Sequence, residues 1–74
     1  MKRDEERLLV KLRIEFKERV RSYSDNNLKQ LIAINDVNDI CNDWKFKCKF
    51  DIEYSKMICE ECLKEQARRR EEGL

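Results

Sequence analysis

Four cysteines crowd into the stretch from Cys41 to Cys62 of a 74-residue chain that contains no histidine. Their spacing is C-x6-C-x10-C-x2-C. A chain this short buries a modest core, and such domains lean on a metal, on disulfides or on oligomerisation. The first seven residues, M-K-R-D-E-E-R, are charged, and the apolar run Leu8-Leu9-Val10 is far too short for a signal-peptide core or a membrane span. The expectation is a cytoplasmic protein without a membrane segment. In a reducing compartment, clustered cysteines serve as metal ligands more often than as disulfides. A structural zinc takes four soft or nitrogen donors in a tetrahedron. Without histidine, the thiolates of Cys41, Cys48, Cys59 and Cys62 are the only all-soft set.

The two pairs differ in kind. Cys59-Glu60-Glu61-Cys62 is a half-site in which both sulfurs can turn to one metal. At a helix start it would meet unpaired N–H groups and a positive dipole end, both of which favour thiolate. Cys41 and Cys48 need a wider loop. They also have a plainer reading as buried apolar cysteines, Cys48 as one tooth of a strand and Cys41 at a helix end. A disulfide and a redox-active C-E-E-C are further alternatives, the last lacking a βαβ scaffold.

Seventy-four residues suit one domain spanning 1–74, and 45% charged residues, one Gly and no Pro argue against a many-turned β sandwich. Residues 4–23 show two competing periods. Leu8, Leu9, Leu12, Phe16, Val20 and Tyr23 fall on one arc of a helix. Val10, Leu12, Ile14 and Phe16 alternate with charged residues as in a strand. The helix accounts for more positions, and Asp4, Glu5 and Glu6 suit its N-terminus. It leaves Val10 and Ile14 off the main stripe, as extra core contact or as a surface for a partner or a second copy. Ser24-Asp25-Asn26-Asn27 offers N-cap chemistry for a second helix over residues 26–41, weakened late by Asn35, Asp36, Asn38 and Asp39.

From Trp44 to Tyr54, aromatic, aliphatic and Cys48 side chains alternate with Lys45, Lys47, Lys49, Asp51 and Glu53, a strand pattern that a reversal near 51–55 would turn into a hairpin. Residues 60–72 predict a last helix with acidic residues first and Arg68, Arg69 and Arg70 late. The expected fold is a small α+β domain: an N-terminal helical hairpin over 4–41, one strand or hairpin, and a C-terminal helix over 60–72. A four-cysteine zinc module at 41–62 would hold it together.

The segment M-I-C-E-E-C-L-K-E-Q-A-R-R-R-E-E, residues 57–72, resembles the end of DksA/TraR-type zinc-finger proteins. The second cysteine pair of that family opens a C-terminal helix, and Cys59 and Cys62 match it. Cys41 and Cys48 match the first pair in role, at a wider spacing. The half-site is also similar to treble-clef and zinc-ribbon fingers in general. The family resemblance implies a small bacterial, plasmid or phage regulator that binds RNA polymerase directly and not DNA. The Asn, Ile and Lys usage is that of an AT-rich genome, microbial or viral.

Net charge is +1, so the whole molecule is no polycation. Lys45, Lys47 and Lys49 on the strand and Arg68, Arg69 and Arg70 on the last helix are candidate phosphate contacts, or else a solvated strand face and a dipole-matched helix end. No catalytic constellation is present, so an enzyme is not expected. The function expected is regulation of transcription, or of another nucleic-acid process, by a zinc-binding protein that docks on a protein machine such as RNA polymerase. Val10 and Ile14 are its candidate contacts. The alternative is a direct DNA or RNA binder, as a single chain or as a homodimer paired through a strand at residues 9–17.

Overall fold

The computed structural model of the chain describes residues 2–36 and 48–73. Three helices account for most of them: α1 (Arg3–Arg19), α2 (Asp25–Ile34) and α3 (Lys49–Glu72). A single 3-10 turn, Val20–Ser22, continues α1. Among the described residues there is no strand. The α+β expectation is therefore corrected to an all-helical arrangement.

α1 forms where the six-residue apolar arc predicts it. Asp4, Glu5 and Glu6 lie in its first turn and Lys17 and Arg19 in its last, both placements complementing the helix dipole. Ser24 caps α2: its Oγ accepts from the backbone N–H of Asn27 at 3.2 Å, satisfying one N–H that the helix leaves unpaired. Asn35 ends α2, its backbone N–H and its Nδ2 both donating to the Leu31 carbonyl, the latter at 2.9 Å. A short amide side chain competing for backbone acceptors is the physical reason the helix stops there. The expected continuation to residue 41 lies outside the described residues from residue 37 onward.

α3 is the main departure. It runs unbroken for 24 residues and begins at Lys49, with Cys48 as its extended N-cap, so residues 49–54 of the expected strand belong to a helix. Phe50, Tyr54, Met57, Ile58, Glu61, Cys62 and Glu65 recur at helical spacing and share one face. Phe50 and Tyr54, one turn apart, stack with ring centroids 6.3 Å apart. No Gly or Pro interrupts residues 49–72, and nothing in that stretch forces a turn.

Both other helices pack on α3. Arg13 of α1 meets Glu60 and Glu61, and the Val20 carbonyl meets Arg69, so α1 and α3 run parallel. Asp25 at the start of α2 meets Arg69, and the Ile32 carbonyl meets Cys59, so α2 runs antiparallel to α3. The core comprises Val20, Leu28, Met57, Ile58 and Cys62, with Leu12, Phe16, Tyr23, Leu31, Ile32 and Tyr54 packed around it. α1 itself buries no residue completely.

Candidate functional site

Three regions compete for a functional role: the cysteines, the late arginines, and a groove between α1 and α3. Cys48 precedes Cys59 by eleven residues of nearly continuous helix, about 16 Å along the axis at ~1.5 Å per residue. Zinc–sulfur bonds of about 2.3 Å hold the ligating sulfurs within about 4 Å of one another. Cys48 therefore does not share a metal with Cys59 and Cys62, and the module built around all four cysteines is corrected. Cys41 lies outside the described residues. Among the described residues no three His, Cys, Asp or Glu side chains gather as a metal site.

Cys59 and Cys62 lie in the middle of α3 and not at a helix start. Cys62 is wholly buried in the core. Burial pushes its thiol up to about 11 from 9.0, with the charges of Cys59 and Glu61 adding to the effect. Cys59 is raised too, by burial first and then by Asp36 and Glu60. Its Sγ donates to the Ile32 carbonyl at 3.5 Å. Both environments favour the neutral thiol, whereas a metal ligand must be thiolate. Cys48, Cys59 and Cys62 are all reduced, and only Cys48 is exposed.

The arginines are engaged inside the fold. Glu65 is buried, and Arg68 grips its carboxylate with Nε at 2.9 Å and Nη2 at 2.5 Å. The hydrogen bonds from Arg68 hold the Glu65 carboxyl below its usual value of 4.5, outweighing burial, with the Arg68 and Arg69 charges helping. Arg68 also meets Glu72 at 2.7 Å, and Glu65 and Glu72 together hold its guanidinium in the charged form. Arg69 reaches across the molecule. It pairs with Asp25 at 2.7 Å and donates to the carbonyls of Val20, Arg21 and Tyr23. Those carbonyls end the α1 segment, where a helix leaves acceptors without partners. Arg70 is exposed.

Lys49, the first residue of α3, is exposed and stands about 28 Å from Arg68 at ~1.5 Å per residue. The two do not form one basic patch. Lys45 and Lys47 lie outside the described residues.

The groove is lined by Leu9, Val10, Ile14 and Met57, with Glu6 and Glu53 toward one end and Arg13 and Lys17 toward the other. Its volume is about 340 Å³. Val10 and Ile14, one turn apart on α1, are 61% and 59% exposed, although each has apolar neighbours at hand. Arg13 ties the two walls together, with Nη2 at 3.0 Å from Glu60 and Nη1 at 3.1 Å from Glu61. Glu61 is 4% exposed, so this pairing, with Lys64 at 3.6 Å, offsets the cost of burying its carboxylate. The structure thus brings Val10 and Ile14 to one surface and adds Leu9, Met57, Glu6, Lys17 and Glu53 to it. The signal that points to these residues is helical register carried past Tyr54, which places Glu53, Met57 and Glu60 on the side of α3 that meets α1.

No helix among the described residues is long and apolar enough to cross a membrane. Comparison with family models, with curated proteins and with solved structures finds no match.

Proposed function

We propose that the chain is a small, non-catalytic, cytoplasmic helical module that acts by binding a protein. One observation carries this reading: Val10 and Ile14 stand exposed, one turn apart, over a groove floored by Leu9 and Met57. An apolar strip at helical spacing beside a groove, with charges at its rim, is the form that receives an amphipathic helix of a partner. The resemblance of residues 57–72 to DksA/TraR-type regulators supports RNA polymerase, or another nucleic-acid machine, as that partner. Direct nucleic-acid binding has less support, because Arg68 and Arg69 are engaged with Glu65, Glu72, Asp25 and backbone carbonyls.

The test is co-elution of the purified chain with purified bacterial RNA polymerase, comparing the native sequence with V10D/I14D. Binding by the native chain and its loss in the variant is the expected result. No binding by either removes RNA polymerase as the partner. Equal binding by both removes the groove as the contact.

A further inference from the structure

The charges around the groove suggest which protein surface fits it. Glu6 and Lys17 are eleven residues apart on α1, close to three full turns, so they project from the same side of the helix. Val10 and Ile14 lie between them on that side. Glu6 and Lys17 enter no ion pair among the described residues. Arg13, the other cation of the basic end, is already held by Glu60 and Glu61.

This strip is its own electrostatic complement. A two-fold axis passing between Lys11 and Leu12, perpendicular to α1, lays a second α1 antiparallel on the first. Glu6 of one copy then faces Lys17 of the other, and symmetry repeats the pair at the far end. The apolar Leu9, Val10 and Ile14 of each copy meet between the two ion pairs. Shifting the register by two residues in either direction takes Glu6 out of opposition to Lys17. Glu53 lies at the same end of the groove, already paired with Lys56 at 3.7 Å.

The geometry points to a second copy of this chain as an occupant of the groove, in a two-fold dimer with antiparallel α1 helices and reciprocal Glu6–Lys17 pairs. The inference rests on the reading of the groove as a protein-binding surface. A protein partner using the same groove must displace the second copy, so self-association competes with partner binding. The contact is one helix pair, which places it among small, reversible interfaces. Its ion pairs are exposed, so association weakens with added salt.

Sedimentation equilibrium over a range up to several hundred micromolar tests this on the full chain. E6K, K17E, the double swap E6K/K17E and V10S/I14S are each checked for native helicity first. The native chain is expected to show a monomer–dimer equilibrium. Either single charge reversal weakens dimerisation about tenfold, because symmetry places two repelling pairs in each dimer. E6K/K17E restores association to within about threefold, since the swap only reverses the direction of each pair. Glu6 and Lys17 of one chain are about 16 Å apart, so rescue reports a contact between chains. V10S/I14S removes the apolar contact and the dimer with it. A monomer throughout, a double swap as weak as the single ones, or a dimer indifferent to V10S/I14S overturns the proposal. A dimer that fails to bind polymerase leaves the second copy standing and removes that partner. A monomer that binds polymerase through Val10 and Ile14 does the reverse.

Discussion

The two seams on α3 are built differently. Against α2, α3 closes a dry contact in which Leu28 and Cys62 are both wholly buried, with Ile58 beside them. Against α1, it closes a seam of half-buried Leu12 and Phe16 held by Arg13 on Glu60 and Glu61, with Val10 and Ile14 left outside. The first seam excludes water from two wholly buried side chains. The second fixes the position of α1 while leaving an apolar strip for use. A domain this small has few apolar side chains to spare, and a strip withheld from the core is stability forgone for a surface.

The sharpest way to break the first seam is Leu28→Ala. Leu28 is fully buried, and the cavity it leaves is expected to cost about 3–4 kcal/mol, enough to unfold much of a marginal domain. Urea unfolding followed by circular dichroism measures it. A loss below about 1 kcal/mol contradicts a dry α2–α3 seam.

Arg69→Ala comes next, at about 2 kcal/mol, because it removes the donor from the part-buried Tyr23 carbonyl and takes one of two cations from buried Glu65. Arg69→Lys recovers little of this, since an ammonium cannot reproduce a forked set of donors. Native-like stability of Arg69→Lys would show that charge alone matters there.

The third test is alkaline titration. Because the Cys62 thiol sits at about 11 in the fold against 9.0 ordinarily, its contribution is fully present below pH 9.0 and is lost as pH rises toward 11. The loss is of order 2 kcal/mol and should be absent in Cys62→Ala, whose stability is lower but flatter over that range. In the same range Cys48 should alkylate rapidly and Cys62 only on unfolding, as read by mass spectrometry of modified peptides.

The smallest effect on stability is at the strip. V10D/I14D is expected to change unfolding free energy by less than about 0.5 kcal/mol, because both side chains are mostly exposed. A loss of 2 kcal/mol or more would place them in the core and erase the contrast between the two seams.

Much of α1 and the start of α2 was legible in the residues. The apolar arc from Leu8 to Tyr23 and the Ser24 cap are local signals, and local signals survive folding unchanged. Asn35 was legible only as a weak point in a helix expected to run to residue 41, whereas its side chain competes for the backbone strongly enough to end α2 there. The stretch around Tyr54 was not. Alternation at Cys48, Phe50, Ile52 and Tyr54 has a period of two, but Phe50, Tyr54, Met57 and Ile58 also fit a helix, and deciding between the periods requires following the chain to Glu65.

The four-cysteine module misled because an i, i+3 pair has the same spacing whether it faces a metal or a core. For Arg68 and Arg69, sequence displays the charge and hides the partners. Asp25 and the Tyr23 carbonyl lie more than forty residues from Arg69. Val10 and Ile14 were visible as strays from the α1 stripe, while the groove beneath them needed Met57 of another helix.

Arg69 also sets an order of events. α1 and α2 precede α3 in the chain, and both find their packing surface on α3. The corner between them cannot be latched until residue 69 has emerged, and the buried places of Leu28 and Val20 do not exist before then. One guanidinium thus fastens α1 and α2 to α3.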